Sequence, residues 1–109
     1  MKRFLNTITT ILIIVSFSSC SEDLPSIERI YEKGNFKEAI SELNGYLFFH
    51  LTDIKALHLR ARSYEEIGEI GKARADYERI IDFDREYAQA FAGLGKILFE
   101  EKKYKEEEL

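Results

Sequence analysis

Residues 32–43 read EKGNFKEAISEL and residues 66–77 read EIGEIGKARADY, with the second stretch 34 positions after the first. In that register Gly34 falls on Gly68, Ala39 on Ala73 and Leu43 on Tyr77. The same shift lines up Tyr31, Glu65 and Phe99, then Ile30, Tyr64 and Leu98, then Phe36, Ile70 and Tyr104. It also carries Leu57 onto Phe91 and Ala61 onto Gly95. No insertion interrupts the register over three copies. Self-similarity at a fixed period of this length marks a chain built from stacked supersecondary units.

Each copy reads as two helices. Ile54, Leu57, Ala61, Tyr64 and Gly68 recur at spacings of three and four, as do Ile70, Ala73, Tyr77, Ile80 and Ile81. Apolar residues at those spacings share one helical face. The glycine between the two runs supplies a helix end where positive φ is needed. Small residues at Ala39, Ala61, Ala73 and Gly95 allow close helix crossings. One Pro, six Gly and no Trp among 109 residues favour helices joined by tight turns over a loop-rich or β-rich domain.

This pattern resembles the tetratricopeptide repeat (TPR), a helix–turn–helix unit of 34 residues. The resemblance is strongest over residues 54–87, good from 88 to about 104, and fair in the first copy, whose short opening helix starts near Pro25. It implies an all-α fold: antiparallel helix–turn–helix repeats forming a short right-handed solenoid over residues 20–109, in copies 20–53, 54–87 and 88–109. It also implies that the third copy begins its second helix near Tyr104. Three positions depart from the family pattern. Arg60 stands where a large aliphatic residue is usual, Arg85 replaces the terminal Pro, and Glu107 replaces a small Ala.

The N-terminus has a different character. Lys2 and Arg3 are the only charges in residues 1–19, and an apolar run from Phe4 to Phe17 leads through Ser18 and Ser19 to Cys20. That is the layout of a secretory signal, and the run falls short of about 20 strongly apolar residues needed to span a bilayer. A retained membrane helix is the competing reading. Phe17-Ser18-Ser19-Cys20 resembles the lipobox of bacterial lipoproteins, with Phe17 where Leu is usual. That resemblance implies a signal peptide over residues 1–19, lipid modification of Cys20, and a cell-envelope protein anchored to the outer membrane on its periplasmic or surface-exposed face. Ser21-Glu22-Asp23 resembles the acidic tag that sends some Bacteroidota lipoproteins outward, or is a solvated spacer.

Without Lys2 and Arg3, 14 basic residues stand against 20 acidic ones. Binding to phosphate backbones needs a basic surface, so no nucleic-acid partner is expected. No phosphate loop, metalloprotease motif or strained nucleophilic Ser is present, so no catalytic residue and no cofactor are expected. His50 and His58 have no ligand spacing around them, and no metal site is expected. The carboxylate pairs, Glu65-Glu66 among them, read as solvated faces. Tyr64, Tyr77, Phe91 and Tyr104 read as packing residues.

Function then falls to the surface. In a stack of helix pairs the first helices line the inner face, where peptide-binding members of the family hold their ligands. Lys55, His58 and Arg62 form one stripe offset from the packing face, and Lys96 extends it. The stripe is either a groove for an extended peptide carrying carboxylates or a set of solubilising charges. Phe91, Leu94, Leu98 and Tyr104 would be left partly bare at an unfinished end. The expectation there is self-association, a bound partner, or a chain that is the N-terminal fragment of a larger protein. A protein–protein interaction module is the leading reading, with a structural subunit of an envelope assembly (outer-membrane biogenesis, gliding or nutrient uptake) as the alternative.

Overall fold

The computed structural model describes residues 22–108, so the segment 1–19 expected to be a signal peptide, and Cys20 with its expected lipid, lie outside the described residues. The fold is all-α. Five helices are described: α1 (Leu24–Glu32), α2 (Phe36–Phe49), α3 (Ile54–Glu66), α4 (Ile70–Phe83) and α5 (Ala88–Glu107). No described helix is long and apolar enough to cross a membrane.

The first helix of each of the first two pairs starts at an Asp cap. The Asp23 carboxylate accepts from the Ser26 N–H at 3.1 Å, and Pro25 occupies the first turn, where no intrahelical N–H partner is needed. Asp53 accepts from the Ala56 N–H at 3.1 Å and also from the Tyr46 hydroxyl at 2.8 Å, which ties the end of α2 to the start of α3. The second helices have no side-chain cap and depend on the turn before them. Gly34 has φ +81° and Gly68 φ +79°, the left-handed conformation that reverses the chain within three residues.

The backbone hydrogen bonds of these turns recur at the sequence period. Gly34 N–H donates to Tyr31 O (2.9 Å) and Asn35 N–H to Ile30 O (3.2 Å); 34 residues later Gly68 N–H donates to Glu65 O (3.1 Å) and Glu69 N–H to Tyr64 O (2.9 Å). At the other edge, His50 N–H to Tyr46 O and Asp53 N–H to His50 O recur as Asp84 N–H to Ile80 O and Tyr87 N–H to Asp84 O. Each helix packs on the next one in the chain, and α1 also touches α3. The core runs through the stack as Ile27, Leu43, Leu57, Tyr77, Ile80 and Ile97, with Ala39, Ala56, Ala61, Ala73 and Ala90 fully buried between the helices.

Arg60, the charge at an aliphatic position, is accounted for by its partner. Its guanidinium donates to both oxygens of Asp76 (2.8 and 2.7 Å) and to Asn44 Oδ1 (3.0 Å), joining α2, α3 and α4. Asp76 is 3% exposed, so this two-pronged pair replaces an aliphatic contact with matched buried charges. The Arg60 pKa is raised, chiefly by that hydrogen bond, so its charge is permanent. Ser63, fully buried, donates to Leu59 O at 2.8 Å. Among the described residues no buried side-chain donor or acceptor lacks a partner.

Three expectations need correction here. No second helix starts near Tyr104, because α5 continues unbroken from Ala88 to Glu107. Lys102 occupies the position of Gly34 and Gly68, and a lysine there has no reason to leave right-handed φ, so no turn forms. Gly95 does not mediate a close crossing: a Cβ there would meet open space. The close approach is two residues earlier, at Gly93, where a Cβ would lie 2.7 and 2.8 Å from Cε2 and Cε1 of the Tyr77 ring. Finally, Phe91 and Tyr104 are not packing residues; they are 48% and 70% exposed.

Candidate interaction face

The first helices α1, α3 and α5 are joined side chain to side chain along one face. The Arg62 guanidinium lies over the Tyr31 ring at 5.4 Å, connecting α3 to α1. The Lys96 ammonium lies 3.8 Å from Glu65 Oε1, connecting α5 to α3. Beneath this ion pair the Tyr77 hydroxyl donates to Glu65 Oε2 at 2.5 Å. Burial, with help from that carboxylate, pushes the Tyr77 pKa well above the ordinary phenol range, so Tyr77 remains a donor at any pH the protein meets.

His58 sits one turn before Arg62, at the foot of two tyrosines. Its ring centroid is 5.7 Å from that of Tyr87, edge to face, and 6.2 Å from that of Tyr77. Desolvation lowers its pKa below 6.5; Arg62 adds to the effect and Glu65 opposes it. His58 is therefore neutral at pH 7. Lys55 stands exposed at the start of α3, and the Tyr87 hydroxyl donates to Gln89 Oε1 at 2.8 Å at the start of α5.

The face thus brings His58, Arg62 and Lys96 together around Glu65 and Tyr77, with Lys55 one turn away. Charges gathered there include the cations Lys55, Arg62 and Lys96 and the anion Glu65, with Glu28 at the matching position of α1. Glu65 is not a solvated carboxylate, as its side chain is 18% exposed and bonded on both oxygens. Sequence reasoning missed this role, and also Asp76. The signal for Asp76 was available: Asp76 and Arg60 are opposite charges at helix positions that the three-and-four spacing assigns to the interior.

Past Lys96 the face opens into a cleft of about 700 Å³ between the start of α4 and the second half of α5. Glu65, Ile70, Lys96, Ile97, Glu101 and Tyr104 line it. Of the expected apolar end, Tyr104 alone meets the charged stripe in this cleft. Leu94 is half-buried against the core; Phe91, Leu98 and Phe99 are exposed on the far side of α5. Arg74, at the cleft's edge, holds Glu101 through two contacts of 3.1 and 3.2 Å. Among the described residues no cluster of three or more His, Cys, Asp or Glu has metal-binding geometry.

No protein-family model matches the chain, and no curated protein matches it.

Proposed function

We propose that the chain is a lipid-anchored interaction module, in which TPR-like helix pairs stack as a short right-handed solenoid and hold a protein partner against the face of α1, α3 and α5. The observation that carries this reading is the row of contacts from Tyr31 through Arg62 and Glu65 to Lys96. First helices one period apart are bridged at equivalent positions, and the bridges leave a continuous polar strip with aromatic walls. The 34-residue recurrence of the turn hydrogen bonds supports the repeat reading. The anchor reading rests on the sequence Phe17-Ser18-Ser19-Cys20.

Lys55, Arg62 and Lys96 gather in the strip around Glu65, on a chain that is acidic overall. Local positive charge in a concave setting concentrates anionic ligands. The partner segment we expect is extended and carries carboxylates, one of which would compete with Glu65 for Lys96 and Arg62. The role that this face supports is binding, as an adaptor in the cell envelope. A pull-down with the full-length anchored protein tests it. Arg62→Glu should lose the partner while the melting temperature stays within the range of a surface change. Capture that is unchanged in Arg62→Glu and insensitive to salt would refute the strip as the binding face.

A further inference from the structure

The edge of the domain nearest its N-terminus carries an apolar patch that the protein core does not use. Phe48 and Phe49 are 73% and 80% exposed at the end of α2, and Leu51 is 59% exposed in the turn that follows. The two rings pack edge to face at 5.1 Å, so they stand together rather than folding onto the domain. Phe83 ends α4 and is 49% exposed. Because each turn reverses the chain, the ends of α2 and α4 lie on the same edge as the start of α1. Single exposed apolar side chains are ordinary, but a cluster of this kind marks a contact surface.

The chain itself says what lies opposite. Glu22 and Asp23 line a cavity of about 480 Å³ together with Tyr46, Phe49 and His50. Only Ser21 separates Glu22 from Cys20. Two Cα steps span at most about 7 Å, so an acyl chain on Cys20 would enter the bilayer beside Phe49. We propose that Phe48, Phe49, Leu51 and Phe83 dock on the lipid surface that holds the anchor, which fixes the domain upright with the long axis of α5 leading away from the membrane. This rests on the anchor reading given above.

A lipid surface fits this patch better than a second copy does. A few side chains at one edge offer far less than the ~800 Å² per partner of a stable protein interface. Acyl chains require no matching shape, and aromatic rings are well suited to the interface between headgroups and hydrocarbon. Glu22, Asp23 and Glu42 rim the cavity, so the contact is apolar in origin, suits zwitterionic lipid and should not respond to salt.

The chain has no Trp, so one substitution creates a unique fluorescent reporter. Full-length Phe48→Trp protein, processed in a Gram-negative host and purified from its membrane, would be reconstituted into phosphatidylethanolamine–phosphatidylcholine vesicles with or without dibrominated phosphatidylcholine. Tyr104→Trp, about 24 Å along α5 from its first residue, is the control. Intact mass reads the diacylglyceryl group on Cys20 independently. The expected result is an acylated protein in which the reporter at position 48 shifts its emission to the blue and is quenched by the brominated lipid, while the reporter at position 104 is unaffected. Acylated protein with an unquenched reporter at position 48, whether or not its emission is blue-shifted, overturns the docking and leaves the anchor intact. Equal quenching of both reporters overturns the upright orientation. Absence of the acyl mass overturns the anchor reading and the docking with it.

Discussion

Residues 54–83 and residues 88–107 share a hydrophobic register yet form different structures. The first stretch breaks at Gly68, reverses, and closes on itself through Leu57, Ala61, Ala73, Tyr77 and Ile80, all buried. The second has Lys102 at the matching place and runs on as one helix of 20 residues. Its buried residues, Ala90 and Ile97, face α4, while Phe91, Leu98 and Phe99 face away from the core. The register decides which residues could be covered, and the turn residue decides whether a second helix comes back to cover them. The contrast also separates surfaces: the middle pair is closed over its buried residues, and α5 leaves apolar side chains open beside it.

The middle pair should be most sensitive at its buried charge. Arg60→Ala leaves Asp76 buried without a counter-ion, and losing one partner of such a pair costs about 3–5 kcal/mol. Chemical denaturation would read this as a large fall in the midpoint, and no charge removal in α5, such as Lys103→Ala, should come near it. A small effect of Arg60→Ala would mean that Asp76 finds water or another donor, and the middle pair would lose its special status.

The turn comes next. Gly68→Ala forces a Cβ into left-handed backbone at φ +79°, at a cost of about 1–2 kcal/mol. Substituting Ala for Lys102 should change stability very little, because that position is already helical. Equal effects at 68 and 102 would contradict the account of why one helix turns and the other continues.

Two glycines in α5 sharpen the same comparison. Gly93→Ala pushes on the buried Tyr77 ring, and overpacking of that kind costs about 1–3 kcal/mol, reduced by the gain in helix propensity. Gly95→Ala meets open space and should stabilise by about 0.5–1 kcal/mol. Opposite shifts in melting temperature are the expected outcome. A loss at Gly95 would show that the outer side of α5 is covered.

The smallest effect is the pH dependence from His58. Its folded-state pKa is lowered by burial, so the unfolded chain binds the proton more tightly. The stability associated with neutral His58 is complete above pH 6.5 and is lost as the pH falls from 6.5 toward the folded value. Relative to His58→Gln, the wild type should therefore weaken on acidification within that window, as read by thermal melts at matched salt. A flat difference between the two proteins would place His58 in solvent rather than against Tyr77 and Tyr87.

The all-α fold was legible in the sequence because its signals are local. Spacings of three and four mark Leu57, Ala61, Ala73, Tyr77 and Ile80, and two glycines one period apart mark the reversals. The unbroken α5 was legible too, in Lys102, but matching Phe36, Ile70 and Tyr104 concealed the missing glycine two residues before. The stripe of Lys55, His58 and Arg62 follows from helical geometry alone. What the sequence did not disclose are contacts between residues far apart in the chain: Glu65 with Tyr77 and Lys96, Arg62 with Tyr31, and Gly93 beneath the Tyr77 ring. A helix-face argument treats each helix separately, so it assigned Glu65 to solvent. Only the crossing of three helices gives that carboxylate two partners.

Site-directed photocrosslinking in cells tests the central claim, that partners are held on the face shared by α1, α3 and α5. A benzophenone side chain would replace Lys55 or Lys96 on that face, and Ser41 or Arg79 on exposed positions of the second helices. The account predicts a discrete adduct from positions 55 and 96, weakened by Arg62→Glu, and none from 41 and 79. Adducts from 41 and 79, with none from 55 and 96, would contradict it.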